Sequence, residues 1–303
     1  MALRIAEMGN CASAPHGVTP PSGRNAQLRV FVYGFLKPGE LAFAQIRDLV
    51  VGEGTAATVE GRLQIRDALP IYDARFPGVV HGFVLDSTSL IDMYQEIGRF
   101  EPAEHYKWKS VRVRETREVV NILEGKQLDR GLAETIEDGV FRSTSDPVLA
   151  LGPSSVLNMI ERALHGLDHD QTIWDGYFQL QAAYSFLWSI LERFATLRYS
   201  QLIGPTEKVR QWSREPAFSD WLRMEQPEAD TIHSSQDASD RYTLGDGELS
   251  SAMYFYYVRN NLSHRGKGLI GDVGRLRRAT LYLYRCVIAI LDSYGFSEEG
   301  ARD

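Results

Sequence analysis

The sequence predicts a multidomain α+β protein: a mixed α/β first half built on a curled sheet or barrel, then an all-α helical bundle. Three observations carry this. The chain has 303 residues, enough for two separate cores. Up to about residue 125, apolar β-branched runs of strand length, such as 28–34 and 79–85, alternate with Gly and Pro turns. Beyond Pro153 the apolar spacing becomes helical, most visibly over 173–200, where Tyr177, Leu180, Tyr184, Leu187, Leu191 and Phe194 recur at the spacing of one face.

In chain order, residues 1–27 mix Gly, Pro, Ser and Asn without periodicity and are expected to form a disordered tail. The first domain is then expected over 28–125. It opens with a buried strand at 28–34, and a Pro and Gly turn leads into a helical pattern at 41–49. Short strands follow around 57–65 and 79–85, then a helix at 89–97 and a strand at 108–114. Residues 126–152 read as a linker by composition, and 153–295 as the helical domain, with a short tail at 296–303. Within that domain the expected helices are 156–164, 173–200, 214–223, one ending near 264, and 271–294; a polar loop is expected at 226–247.

Composition is that of a water-soluble chain, 44% hydrophobic and 24% charged, and no apolar run approaches the roughly 20 residues a membrane helix needs. The first residues lack a basic leader with a continuous apolar stretch, so the expected location is the cytoplasm. Cys11 and Cys286 alone argue against a disulfide framework or a cysteine metal site. His165 and His169 are four apart, but the intervening Gly166 and the lack of further ligands read as a helix end and turn. No metal or cofactor is expected. A net charge of −7 weighs against nonspecific coating of nucleic acid, although Arg259, Arg265, Lys267, Arg275, Arg277, Arg278 and Arg285 form a basic island with one acid, Asp272.

The most concentrated chemistry lies in YFYYVRNNLSHRGKG, residues 254–268, where a guanidinium, amides and an imidazole crowd a predicted helix end. On an ideal helix Asn260 and His264 share a face, whereas Arg259 points about 140° from His264. An Arg, four residues beginning with Asn, and a His at a helix end resemble the signature of the HEPN superfamily. That resemblance implies a helical bundle, a homodimer that pairs two motifs in one cleft, and a metal-independent endoribonuclease with Arg259, Asn260 and His264 as catalytic residues. The residue types suit that chemistry, since a guanidinium holds phosphate and an imidazole moves the proton of a ribose 2′-hydroxyl. Arg265, Lys267 and Arg277 are the candidate RNA contacts, and RNA is the implied partner.

A second resemblance covers residues 28–114. Tyr33-Gly34-Phe35-Leu36-Lys37-Pro38-Gly39 after a strand, the segment 76–86, and His105-Tyr106-Lys107 through Val113 resemble the gamma-glutamylcyclotransferase-like fold. That resemblance implies a loop, Tyr33, Gly34, Phe35 and Leu36, whose amides hold the carboxylate of a small gamma-glutamyl-like ligand, and a Glu that shuttles a proton as 5-oxoproline forms. Two departures touch the chemistry. Phe35 replaces a small hydroxyl residue, and in the ungapped alignment Gln95 falls where the Glu belongs; an amide is no base. Glu101 and Glu96 are the remaining acid/base candidates, Glu101 first. The expected function is therefore a HEPN endoribonuclease, a toxin or defence nuclease by analogy, joined to a degenerate sensor or protein-interaction domain. The alternatives are an active cyclotransferase with a HEPN dimerisation domain and a noncatalytic binding protein.

Overall fold

The computed structural model describes residues 17–23, 25–126, 133–167, 173–199, 204–233, 240–264 and 273–296, and of residues 173, 263 and 264 the backbone alone. The chain divides into two units, Met1–Asp146 with Leu197–Gln201, and Pro147–Thr196 with Leu202–Asp303.

The first unit contains strands β1 (Val30–Val32), β2 (Val50–Glu60), β3 (Arg62–Arg66), β4 (Leu69–Asp73) and β5 (Val79–Ser87), helix α1 (Leu90–Phe100), and strands β6 (Tyr106–Arg112), β7 (Val119–Gly125) and β8 (Ala133–Thr135). Five of these strands make a sheet in the order β2-β5-β1-β7-β6, in which β1 and β7 run parallel and the other neighbours antiparallel. Short β1 lies in the middle and is buried on both faces, which is why its sequence is continuously apolar. The edge strands meet at one point, through the bridge Val59↔Val113 and the Arg114 amide on the Thr58 carbonyl. The sheet is therefore curled but not closed, and of the two expected forms the barrel is not reached. A second sheet runs β4-β3-β8.

Helix α1 forms where expected. The Ser89 hydroxyl accepts the Asp92 amide at the N-terminus, and Met93, Tyr94 and Ile97 recur at helical spacing on the buried face. It ends at Glu101, whose backbone turns extended.

Three expectations for this unit are corrected. Residues 17–23 and 25–27 are packed: the Val18 amide bonds the Gly98 and Glu101 carbonyls, and the Gln27 amide donates to Asn121 Oδ1 at 2.7 Å. The helical pattern at 41–49 gives two short 3₁₀ turns, Phe43–Gln45 and Arg47–Leu49. Its first turn is consumed in closing the preceding loop, through the Ala42 amide on the Phe35 carbonyl, which leaves too few residues to nucleate an α-helix before β2. Within the expected linker 126–152 the described residues 133–152 are largely structured, because β8 pairs with β3 and a helix starts at Pro147. Within it Gly139, at φ +66°, approaches so closely that a Cβ would stand 1.9 Å from the Val79 carbonyl oxygen.

The second unit holds helices α2 (Pro147–Leu167), α3 (Ile173–Arg198), α4 (Pro205–Trp212) and α5 (Pro216–Glu225), strands β9 (Thr231–His233) and β10 (Arg241–Thr243), and helices α6 (Gly247–His264) and α7 (Val273–Asp292). Helix α3 is central: Leu180, Tyr184, Leu187, Ile190 and Phe194 are fully buried. Helices α2 and α3 approach closely where Gly176 meets the Ala163 carbonyl oxygen, 2.7 Å from where a Cβ would lie. The unit is not all-α, since the expected polar loop 226–247 contains the antiparallel pair β9–β10. Tyr242 of β10 stacks on Tyr257 of α6 at 5.0 Å and 12°, so the pairing is fixed by packing on a helix that local sequence does not show. Among the described residues no helix is long and apolar enough to cross a membrane.

Candidate functional site

Tyr33, Gly34 and Leu36 lie at the exit of β1, and Glu101 lies just past the end of α1. These segments, distant in sequence, line one cavity of about 20 Å³ together with Pro70, Ile97, Trp108 and Leu123. The Tyr33 hydroxyl anchors the loop from below, donating to the Leu123 carbonyl at 2.8 Å and accepting the Tyr72 amide at 3.1 Å. Gly34 permits contact with Pro70, whose Cγ stands 2.6 Å from where a Cβ would be. Phe35 turns away into the core, edge-on to Phe141 at 4.7 Å, which explains an aromatic residue where a small hydroxyl was expected. The turn is closed by the Lys37 amide on the Gly34 carbonyl, while the Gly34 and Leu36 amides meet no acceptor among the described residues.

Glu101 reaches the cavity because its backbone leaves the helical path at φ −98° and ψ 130°. Burial, and next the negative charge of Glu101, push the Tyr33 phenol well above its ordinary value. The other carboxylate candidate is elsewhere: Glu96 is on the solvent side of α1, ion-paired with Arg99. Gln95 does not line the cavity either; Tyr94 and Ile97 occupy the inward face of α1. The ungapped alignment thus marked the helix rather than its end.

Trp108 also lines a larger cleft of about 430 Å³, with Lys107, Lys109, Lys126, Asn25, Ser110 and Asn121 in its lining. Lys109 donates to Glu124 at 2.6 Å and Lys107 stands 3.1 Å from the same carboxylate. Burial opposes that charge, but the two ammonium groups outweigh it and hold the Glu124 carboxyl below the usual range. Trp108 packs edge-on against Tyr94 at 4.8 Å, and its indole Nε1 is buried without a partner.

In the second unit Arg259, one-third exposed, donates to Asn260 Oδ1 at 3.2 Å and stands 4.0 Å from Glu192, which also accepts the Trp188 indole N–H at 2.9 Å. Asn260 thus orients the guanidinium. His264 is the last described backbone position of α6; its side chain, Arg265 and Lys267 fall outside the described residues. Arg277 is on α7, half-buried, and its neighbours Arg275 and Arg278 turn to Asp230 at 2.8 and 4.0 Å. Asp230, which sequence reading missed, also accepts the Tyr254 hydroxyl at 2.8 Å. Two arginines of the basic island are therefore committed to neutralising one acid. Among the described residues no group of His, Cys, Asp and Glu could hold a metal ion.

No family model, curated protein or solved structure matches this chain. Function therefore rests on the chemistry of these two sites.

Proposed function

We propose that the first unit is an acid/base catalyst of the cyclotransferase type, acting on a gamma-glutamyl amide and using Glu101. The observation that carries this reading is the convergence of Glu101 with the loop Tyr33, Gly34 and Leu36 on one cavity. Gln95 at the aligned position is no base, and the carboxylate at the cavity is that of Glu101.

Chemically, the substrate α-amine attacks its own γ-carbonyl carbon. The new C–N bond closes the five-membered ring, the original amide C–N bond breaks, and 5-oxoproline and an amine leave. Glu101 accepts the proton shed by the attacking amine and returns it to the departing nitrogen, so one carboxylate serves as base and then acid. The Gly34 and Leu36 amides supply donors for the substrate carboxylate. Tyr33 is a positioning residue, since both hydrogen bonds of its hydroxyl go to backbone. Release of 5-oxoproline from gamma-glutamyl amides, with Glu101→Gln as control, tests the proposal.

A second reading is favoured by Arg259, which is braced by Asn260 and Glu192 yet keeps a third of its side chain open. In that reading α6 carries a metal-independent endoribonuclease site, with His264 taking the 2′-hydroxyl proton and Arg259 stabilising charge on the phosphate, in a homodimer.

A further inference from the structure

Arg66 is the last residue of β3 and its backbone is fixed on both sides, opposite Leu69 of β4 and Ala133 of β8. It is only 8% exposed. A guanidinium keeps its charge in a protein interior, and a buried charge without a counter-charge is strongly destabilising. Among the described residues Arg66 has no counter-charge. Its side-chain hydrogen bond there runs from Nη1 to the Lys126 carbonyl at 3.0 Å, a neutral acceptor, while Nε and Nη2 are buried without a partner.

Those two atoms are adjacent. Nε and Nη2 carry the parallel N–H groups along one side of the guanidinium, the edge that matches two oxygens on a single carbon or phosphorus atom. A second such group is tied to the same residue: the Lys126 amide donates to the His105 carbonyl at 2.7 Å, and His105 Nδ1 is also buried without a partner among the described residues. Unmet polar groups are thus gathered on the two sides of one backbone position, and neither Arg66 nor His105 lines the cavity at Glu101 or the cleft of about 430 Å³. Beyond Arg66 the hairpin turns through Asp67-Ala68 at φ 52° and 62°, a left-handed pair that favours Gly or Asn, and the exposed Asp67 does not pair with Arg66.

We propose that Arg66 anchors an oxyanion site, taking the carboxylate or phosphate of a small molecule side-on through Nε and Nη2, with the end of the β3–β4 hairpin opening to admit it. The ligand supplies a counter-charge and two acceptors at once. Entry at the hairpin end breaks only the last pair of that ladder, Arg66 with Leu69, which is where a strand pair opens at least cost. The site depends on neither of the two functional readings.

The test is calorimetric titration of the full chain with inorganic phosphate and with acetate, in chloride at matched ionic strength, alongside Arg66→Lys, Arg66→Met and Lys107→Gln. At least one of the two anions is expected to bind at a single site, and a preference between them identifies which group the site takes. Arg66→Lys keeps the charge but not the paired N–H edge and should weaken binding at least about 10-fold, and Arg66→Met should abolish it. Lys107→Gln, in the lysine-lined cleft, should leave the affinity within about 2-fold. In urea without either anion, Arg66→Met should unfold at a midpoint no lower than the unmodified chain's, because the uncompensated charge is gone, and the same measurement verifies that the variant folds. No binding of either anion, which is the outcome if water alone meets the guanidinium, overturns the site. So does binding retained in Arg66→Lys or lost in Lys107→Gln. A midpoint well below the unmodified chain's in Arg66→Met would show the guanidinium to be satisfied already and overturns it too.

Discussion

Glu101 and Tyr33 line the same cavity, and the carboxylate's charge adds to burial in keeping the Tyr33 phenol protonated far above its ordinary range. The phenol therefore remains a donor to the Leu123 carbonyl and an acceptor for the Tyr72 amide. One hydroxyl ties β1, β4 and β7 under the loop that faces Glu101.

Removing that hydroxyl leaves two buried backbone groups without a partner. Tyr33→Phe is expected to cost about 1–3 kcal/mol in unfolding free energy by urea denaturation. If Tyr33 only positions the loop, kcat falls far less than in Glu101→Gln.

Asn121 holds the segment before β1 in place. Its Oδ1 accepts the Gln27 amide and the Tyr94 hydroxyl, and its Nδ2 donates to Ser110 Oγ at 3.2 Å. In Asn121→Leu the Gln27 amide and the Tyr94 hydroxyl lose their shared acceptor, and residues 17–27 should become cleavable by a nonspecific protease while the sheet stays resistant. Equal resistance in both chains would contradict this.

Much of this was legible in the chain because it is local. The run Val30–Val32 announces a buried strand, the Ser89 cap and the spacing of Met93, Tyr94 and Ile97 announce α1, and residues 173–198 announce the central helix. What was not legible depends on partners distant in sequence. Strand β8 exists because β3 offers a free edge, and β9–β10 because Tyr257 offers a ring to Tyr242. Glu101 and Glu96 are both candidates in the sequence, and what separates them in space is the extended backbone at the end of α1. A signal was present in GRFEPAEHY, since Pro102 disfavours the α conformation for the residue before it. Asp230 carried no such signal: its three partners lie on α6 and α7.

The Asp230 carboxyl is pulled in two directions. Burial opposes its charge, but Arg275, Tyr254 and Arg278 outweigh that and hold the group below the usual range. A lowered folded-state value means that the stabilisation is present above the unfolded carboxylate value and is lost as pH falls through the lower folded one. Unfolding of the full chain monitored at the aromatic residues of the second unit should show this acid-side loss, and Asp230→Asn should flatten it. An unchanged acid slope in the variant would show that Asp230 does not carry the effect.

For the second reading, the full chain incubated with RNA in chelator is expected to yield 2′,3′-cyclic phosphate ends, and Arg259→Ala and His264→Ala should each reduce cutting about 100-fold or more. Glu192→Gln should lower it less, because Asn260 still braces the guanidinium. Cleavage that requires added magnesium would exclude this chemistry.

The most direct measurement is 5-oxoproline release from gamma-glutamyl amides by the unmodified chain, Glu101→Gln, Glu96→Gln and Gln95→Glu, with circular dichroism to verify folding. With Glu101 as the acid/base, Glu101→Gln loses about 100-fold or more in kcat, Glu96→Gln retains near-full activity because it removes only a surface ion pair with Arg99, and Gln95→Glu gains nothing. Turnover that survives in folded Glu101→Gln, or that the unmodified chain lacks while Gln95→Glu acquires it, would contradict the assignment.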